Sequence, residues 1–284
     1  MRERRLADIF ILGMIYLAAF FSVILLAGII GYVFVRGIPT VGWSFLTTVS
    51  SIIRGTVGIA GNIVNTLYIV VLTLLIAVPV GIGAAVWLNE YARRGRLVRL
   101  IEFALETLAG IPSIVFGLFG MMFFGTTLGL GYSILTGALT LTIMVLPLIT
   151  RNTQEALRAV PDGYREGALG MGAGKWYMIR TVLLPTASSG ILTGVVLAVG
   201  RIVGESAALL FTAGSGYLLP RRGMGLVRKI MESGGTLTVQ MYLSMSKGQY
   251  DAAFGIAAVL LCIVMLMNLI VSRMSRFMVH YGCR

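Results

Sequence analysis

The chain has 284 residues, of which 57% are hydrophobic and only 12% charged, with a formal net charge of +12. A soluble domain carries about 25% charged residues, so this composition excludes an ordinary soluble fold and points to a membrane protein. The single histidine, His280, and the two cysteines, Cys262 and Cys283, lack the number and spacing for a Ser-His-Asp centre, a histidine metal site or a redox pair.

In chain order, Ile9 to Val35 is an uncharged run of 27 residues. As a helix it is about 40 Å long, enough to cross a hydrocarbon core of about 30 Å with tilt. The run is too long for a signal-peptide core and predicts a retained first span. A second span is predicted over 63–88, interrupted by Pro79, Gly81 and Gly83. Between Glu106 and Arg151 stand 44 consecutive uncharged residues. One helix of that length would be about twice as long as the bilayer requires, so Gly125, Gly129 and Gly131 mark a break. A third span over 108–124 and a fourth over 133–150 follow. A fifth is predicted over 188–211 and a sixth over 253–272. Small residues at helical spacing, Gly190 with Gly194 and Gly200 with Gly204, predict close helix packing.

Six spans place both ends on one side. The segments on that side, 1–8, 89–106, 151–187 and 273–284, carry 15 Lys and Arg, against seven on the other. The positive-inside rule assigns the first set, with both termini, to the cytoplasm. The chain then divides into 1–62 (first span and extracytoplasmic loop), 63–272 (a core bundle) and 273–284 (a cytoplasmic tail).

The cytoplasmic loop 151–187 contains "GALGMGAGKW", residues 167–176. It imitates a phosphate-binding loop, but the required first glycine is Leu169 and the magnesium-binding hydroxyl is Trp176. Pro161, Asp162 and Gly163 predict a helix start, with Glu166 near the positive end of its dipole. Gly170, Gly172 and Gly174 break that helix, with Gly172 as the turn. A second helix is predicted over 175–184, stopped by Pro185. A helix–glycine–helix on this face is a knob that a soluble partner can grip.

Here the chain resembles the membrane subunits of bacterial binding-protein-dependent ABC importers. Their loop has the form E-A-A-x3-G-x9-I-x-L-P. Glu166, Gly167, Ala168, Gly172, Val182, Leu184 and Pro185 keep its spacing, with Gly167 in place of Ala and Val182 in place of Ile. Within that family, "LNEYA" (88–92), "LAGIPSIVFGLFG" (108–120), "KWYMIRTVLLP" (175–185) and "GRIVGESAALLFTAG" (200–214) resemble phosphate permease subunits of the PstA type.

The resemblance implies an all-α integral membrane protein of six transmembrane helices with the type I ABC importer permease fold, in the cytoplasmic membrane. It implies that the loop docks into a groove of a separate ATPase and transmits its movement. ATP is then used by that partner, and this chain binds no cofactor of its own. The implied partners are a second homologous permease subunit, two ATPase subunits and an extracytoplasmic phosphate-binding protein.

Two ionisable residues, Arg201 and Glu205, fall inside the fifth span. Each costs about 2.5–3.5 kcal/mol at mid-helix on insertion scales and is a functional candidate by default. Their i, i+4 spacing puts them about 40° apart on one helical face. One reading is an internal ion pair that neutralises itself. The other is that Arg201 meets a phosphate, with Glu205 holding it while the pathway is empty. The family's motif there is Arg-Ala-Ile-Gly-Glu, and here it reads Arg201-Ile202-Val203-Gly204-Glu205. The basic stretch 220–229 is either an anion-concentrating mouth or a solvated loop or docking face.

The rival readings are the same machine with another oxyanion, a self-contained secondary transporter or channel, and a membrane enzyme. The second leaves the loop without a task, and for the third no catalytic constellation is present.

Overall fold

A computed structural model describes residues 2–51, 56–93, 95–219 and 225–282. Helix α1 (Arg2–Gly37) leads through a 3-10 turn (Ile38–Thr40) and helix α2 (Trp43–Thr47) into an antiparallel hairpin. Its strands are β1 (Val49–Ser51) and β2 (Thr56–Ile59). This hairpin is a small exception to the all-helical expectation. Helix α3 (Ala60–Val86) ends in a π-helical turn (Trp87–Tyr91), followed by α4 (Arg96–Gly110), α5 (Ser113–Gly120) with a second π-helical turn (Met121–Thr127), and α6 (Ile134–Arg158). Helices α7 (Asp162–Gly170) and α8 (Lys175–Met178) come next. A third π-helical turn (Ile179–Leu183) joins α8 to α9 (Leu184–Gly204). Short helices α10 (Ala207–Thr212), α11 (Leu226–Ile230) and α12 (Leu237–Ser246) precede α13 (Tyr250–Gly282).

Five stretches are long and apolar enough to cross a membrane: Phe10–Thr40, Ala60–Tyr91, Ile134–Arg158, Lys175–Gly204 and Tyr250–Ile270. The remaining predicted span, 108–124, falls in a bent helix pair, Arg96–Gly110 with Ser113–Thr127, which is the sixth candidate span. Helices α4 and α5 meet at 103°. Pro112 lacks an N–H and holds the preceding Ile111 extended (φ −72°, ψ 133°), so α4 stops at Gly110. Beyond the bend, Ser113–Thr127 is about 22 Å long by helical rise, shorter than a hydrocarbon core of about 30 Å. The chain then turns at Gly129 (φ +70°) and Gly131 (φ +57°), as expected, whereas Gly125 stays within the π-helical turn. Ser133 caps α6 by accepting the Thr136 N–H at 3.1 Å.

Helix α6 is the axis of the bundle and packs on both α3 and α9. Leu141, Val145 and Ile149 of α6 share one buried cluster with Ile69 and Ala77 of α3 and with Ala198 and Val199 of α9. Between helices in lipid there is no hydrophobic gain in association, so close backbone approach carries the packing. Gly190 and Gly194 show it: a Cβ on either would fall 2.6 Å from Ala156 or 2.7 Å from Asn152 of α6. Gly200 and Gly204, expected to pack in the same way, have open space beside them.

Helix α1 rests on α13, where Tyr32 and Phe254 meet edge to face at 5.6 Å. Gly37, at the end of α1, abuts the Phe254 carbonyl near the start of α13. The two helices therefore run antiparallel, and their outer ends lie at the same end of the bundle as α7 and α8. Helix α13 continues unbroken past 272 to Gly282, so the described backbone has no boundary at 273.

Candidate functional site

The predicted span 188–211 is broken. Helix α9 stops at Gly204, Glu205 is extended (φ −79°, ψ 125°), and α10 begins at Ala207. The cause is local competition for a backbone donor. The Glu205 carboxylate accepts the Ala208 N–H at 3.1 Å, a bond that an unbroken helix would give to the Gly204 carbonyl. The Glu205 carbonyl accepts the Thr238 hydroxyl of α12 at 2.7 Å.

This break corrects the expected geometry of Arg201 and Glu205. They do not share a continuous helical face, and no ion pair joins them among the described residues. Glu205 is 7% exposed and its carboxylate is turned to α10. Arg201 remains exposed on α9. Thr193, Leu197 and Gly204 are exposed near it, and helical spacing puts them on the same side of α9. The open space at Gly200 and Gly204 adjoins the arginine, so these glycines leave room rather than fill it. A guanidinium in such a place presents parallel donors that match an oxyanion.

At the opposite end of the bundle, α7 and α8 form the helix–turn–helix that the loop spacing predicts. Gly172 has φ +82°, the left-handed conformation that glycine adopts without a Cβ penalty. The Ala173 N–H bonds to the Ala168 carbonyl at 3.1 Å and the Gly172 N–H to the Leu169 carbonyl at 2.9 Å, which closes the end of α7. Ala168 is the buried residue of α7, packed with Leu157, Met178, Ile179 and Leu183. Glu166 and Gly167 face outward, and a Cβ on Gly167 would meet nothing, so the departure from alanine there is sterically free. Val182 and Leu184 pack at the rim of the same cluster. Pro185 does not stop a helix: α8 runs on through the π-helical turn into α9, whose first turn holds the proline. Proline's missing N–H falls just after the π-helical turn, where the regular hydrogen-bond ladder is already interrupted. The outward surface is apolar for a solvated loop, with Tyr164, Leu169, Trp176 and Tyr177 exposed and Met171 87% exposed. Exposed apolar patches of this kind occur at protein–protein and membrane contacts.

Of the basic stretch 220–229, Arg221 and Arg222 lie outside the described residues. Lys229 is not a free cation. It is 1% exposed, donates to the Leu218 carbonyl at 2.8 Å and stands 3.8 Å from Glu232. Burial pushes its ammonium below the usual lysine range, and Glu232 opposes that shift. It joins α11 to the Leu218 backbone, while Arg228 is exposed.

Three site residues were not legible from spacing. Thr238 supports the α9 break from 33 residues away. Glu90 and Arg165, separated by 75 residues, pair at 3.1 Å beneath the α7–α8 loop. The one available signal was Glu90 itself, a carboxylate directly after a long apolar run.

A broken spanning helix with an exposed guanidinium, and an apolar helix–turn–helix at the far end, describe a multi-span membrane protein of the kind the loop spacing predicts. The chain belongs to the family of binding-protein-dependent transport system inner membrane components, whose model matches residues 77–280. It is 40% identical over 212 residues to the probable ABC transporter permease protein YqgI of Bacillus subtilis, covering 75% of this chain and 72% of that one. It is 33% identical over 208 residues to the phosphate transport system permease protein PstA of Haemophilus influenzae, covering 73% of each. Its fold is that of a bacterial alginate ABC transporter solved with a pentasaccharide-bound periplasmic protein, with a TM-score of 0.70 at 16% identity over 96% of each chain. This is the type I importer permease fold expected from the loop.

Proposed function

We propose that the chain is the membrane-spanning permease subunit of an ATP-driven importer of inorganic phosphate. The observation that carries this reading is Arg201: an exposed, unpaired cation among the described residues of α9, beside a side of the helix that this chain leaves uncovered. The phosphate named for its PstA relative is a ligand that such a fork binds well. A second, homologous permease subunit closes the pathway over that uncovered side. The α7–α8 knob engages one of two ATPase subunits, which hold and hydrolyse the ATP. An extracytoplasmic binding protein delivers phosphate to the opposite end. The knob and both chain ends face the cytoplasm, in agreement with the 15-to-seven excess of basic residues there.

The test is uptake of radiolabelled phosphate by proteoliposomes holding the permease pair and the binding protein, with and without the ATPase, and with sulfate or molybdate as competitor. The reading requires uptake that depends on ATPase and ATP and resists the competitors. Uptake without the ATPase would identify a self-contained transporter. Full displacement by another oxyanion would reassign the substrate.

A further inference from the structure

We propose that Arg165 is the joint through which movement of α7 reaches the membrane helices, and that Glu90 is its anchor; this rests on the ATPase-coupling reading above. One guanidinium holds three elements together. Its Nη1 donates to the Val160 carbonyl at 2.9 Å and to Asp162 at 3.0 Å. Its Nη2 donates to the Leu157 carbonyl at 2.8 Å and to Glu90 Oε1 at 3.1 Å, and its Nε donates to the same oxygen at 3.3 Å. The Leu157 carbonyl lies in the last turn of α6 and Val160 two residues beyond its end, where the helix dipole favours a cation.

Glu90 sits in the π-helical turn that ends α3, and its side chain is 7% exposed. Asn89 donates to the same oxygen at 2.7 Å. The second helix of the loop is fastened to the same residue. Lys175 of α8 donates to the Glu90 backbone carbonyl and stands 4.9 Å from the Tyr91 ring centre. Apart from Ala168, the residues of α7 are not buried, so Arg165 is the main polar link between this helix and the bundle. The other charge pairs at this end, Arg151 with Glu106 and Arg158 with Glu102, are largely exposed. Pairs of that kind hold little.

A load applied to the outer face of α7 therefore passes to the ends of α3 and α6 through one planar, rigid fork. Glu90 lies within one π-helical turn, 87–91, and another, 179–183, follows α8, the helix that Lys175 fastens to the Glu90 carbonyl. Such turns mark places where a helix departs from regular hydrogen bonding, often at functional sites. Arg165 is a positioning residue, with no contact to the transported anion.

The test uses the complete transporter in proteoliposomes, with Arg165→Lys, Glu90→Gln and both together. Three quantities are read from each preparation: ATPase retained, ATP hydrolysed and phosphate taken up. The expected result is native ATPase retention with phosphate moved per ATP reduced about ten-fold in each single variant, the usual scale of a coupling energy. The double variant should be no worse than either single one, because both open the same link. Glu90→Gln lies off the docking face and keeps the test valid if Arg165→Lys assembles poorly. An unchanged ratio of phosphate to ATP in Glu90→Gln overturns the proposal, as does release of the ATPase, which would make the pair a brace for the docking surface. An intact chain that shows no ATPase-dependent uptake at all would instead sink the parent reading.

Discussion

The Thr238 hydroxyl and the Glu205 carbonyl, 2.7 Å apart, hold α9 and α10 as two helices. The carbonyl is freed by the break and finds its donor on α12, while the Glu205 carboxylate satisfies the Ala208 N–H on the other side. Thr238→Val keeps the shape and removes the donor. A buried carbonyl left unpaired costs about 1–3 kcal/mol. Thermal unfolding of the purified variant should show a loss of that size, and native stability would mean that the break does not depend on this bond.

Glu205 serves α10 as a helix cap and does not neutralise Arg201. Glu205→Gln retains an acceptor oxygen and should be mild, whereas Glu205→Ala should cost about 0.5–2 kcal/mol, as loss of a cap does. Stability losses of Arg201→Ala and Glu205→Ala should add in the double variant to within about 0.5 kcal/mol. A larger coupling energy in that cycle would restore the ion pair.

Gly172 carries the turn between α7 and α8 at φ +82°. A β-branched side chain is strained there by about 1–3 kcal/mol, although nothing crowds the position. Gly172→Val should distort the knob and release the ATPase while the bundle, some distance away in the chain, stays folded. Co-purification of the ATPase from detergent extracts measures this. Normal retention with normal uptake would remove the turn from the docking surface.

The orientation is open to direct labelling. Thr47 and Ser246 are exposed at one end of the bundle and Thr181 at the other. In a background lacking Cys262 and Cys283, Thr47→Cys and Ser246→Cys should react with an impermeant thiol reagent added outside intact cells. Thr181→Cys should react only in inverted vesicles. The reverse pattern would invert the topology and detach the knob from any cytoplasmic ATPase.

Five spans were legible in the sequence because an uncharged run of sufficient length has few other folds in lipid. The knob was legible because its spacing survives over 20 residues, from Glu166 to Pro185. The breaks were harder. Pro112 bends the α4–α5 pair, yet Pro79 and Pro147 sit inside α3 and α6, so proline alone does not predict a stop. At Glu205 the outcome turns on a carboxylate winning a backbone N–H, with support from Thr238, and i, i+4 counting assumes the helix that this competition ends. Gly200 and Gly204 have the spacing of a packing motif, but only a neighbour decides whether small residues are filled or left open. The Glu90–Arg165 pair was invisible because nothing in linear spacing brings the end of α3 beneath α7.

The most direct measurement of the central claim is ATP-driven phosphate uptake by the reconstituted transporter with Arg201→Ala, beside Arg201→Lys. Arg201 is exposed and makes no hydrogen bond or ion pair among the described residues, so both variants should assemble, retain the ATPase and unfold near the native temperature. The expected result is loss of uptake in Arg201→Ala, with little recovery in Arg201→Lys, because an ammonium does not offer the fork's parallel donors. Near-native uptake by a well-assembled Arg201→Ala transporter would contradict the assignment of Arg201 to the phosphate pathway.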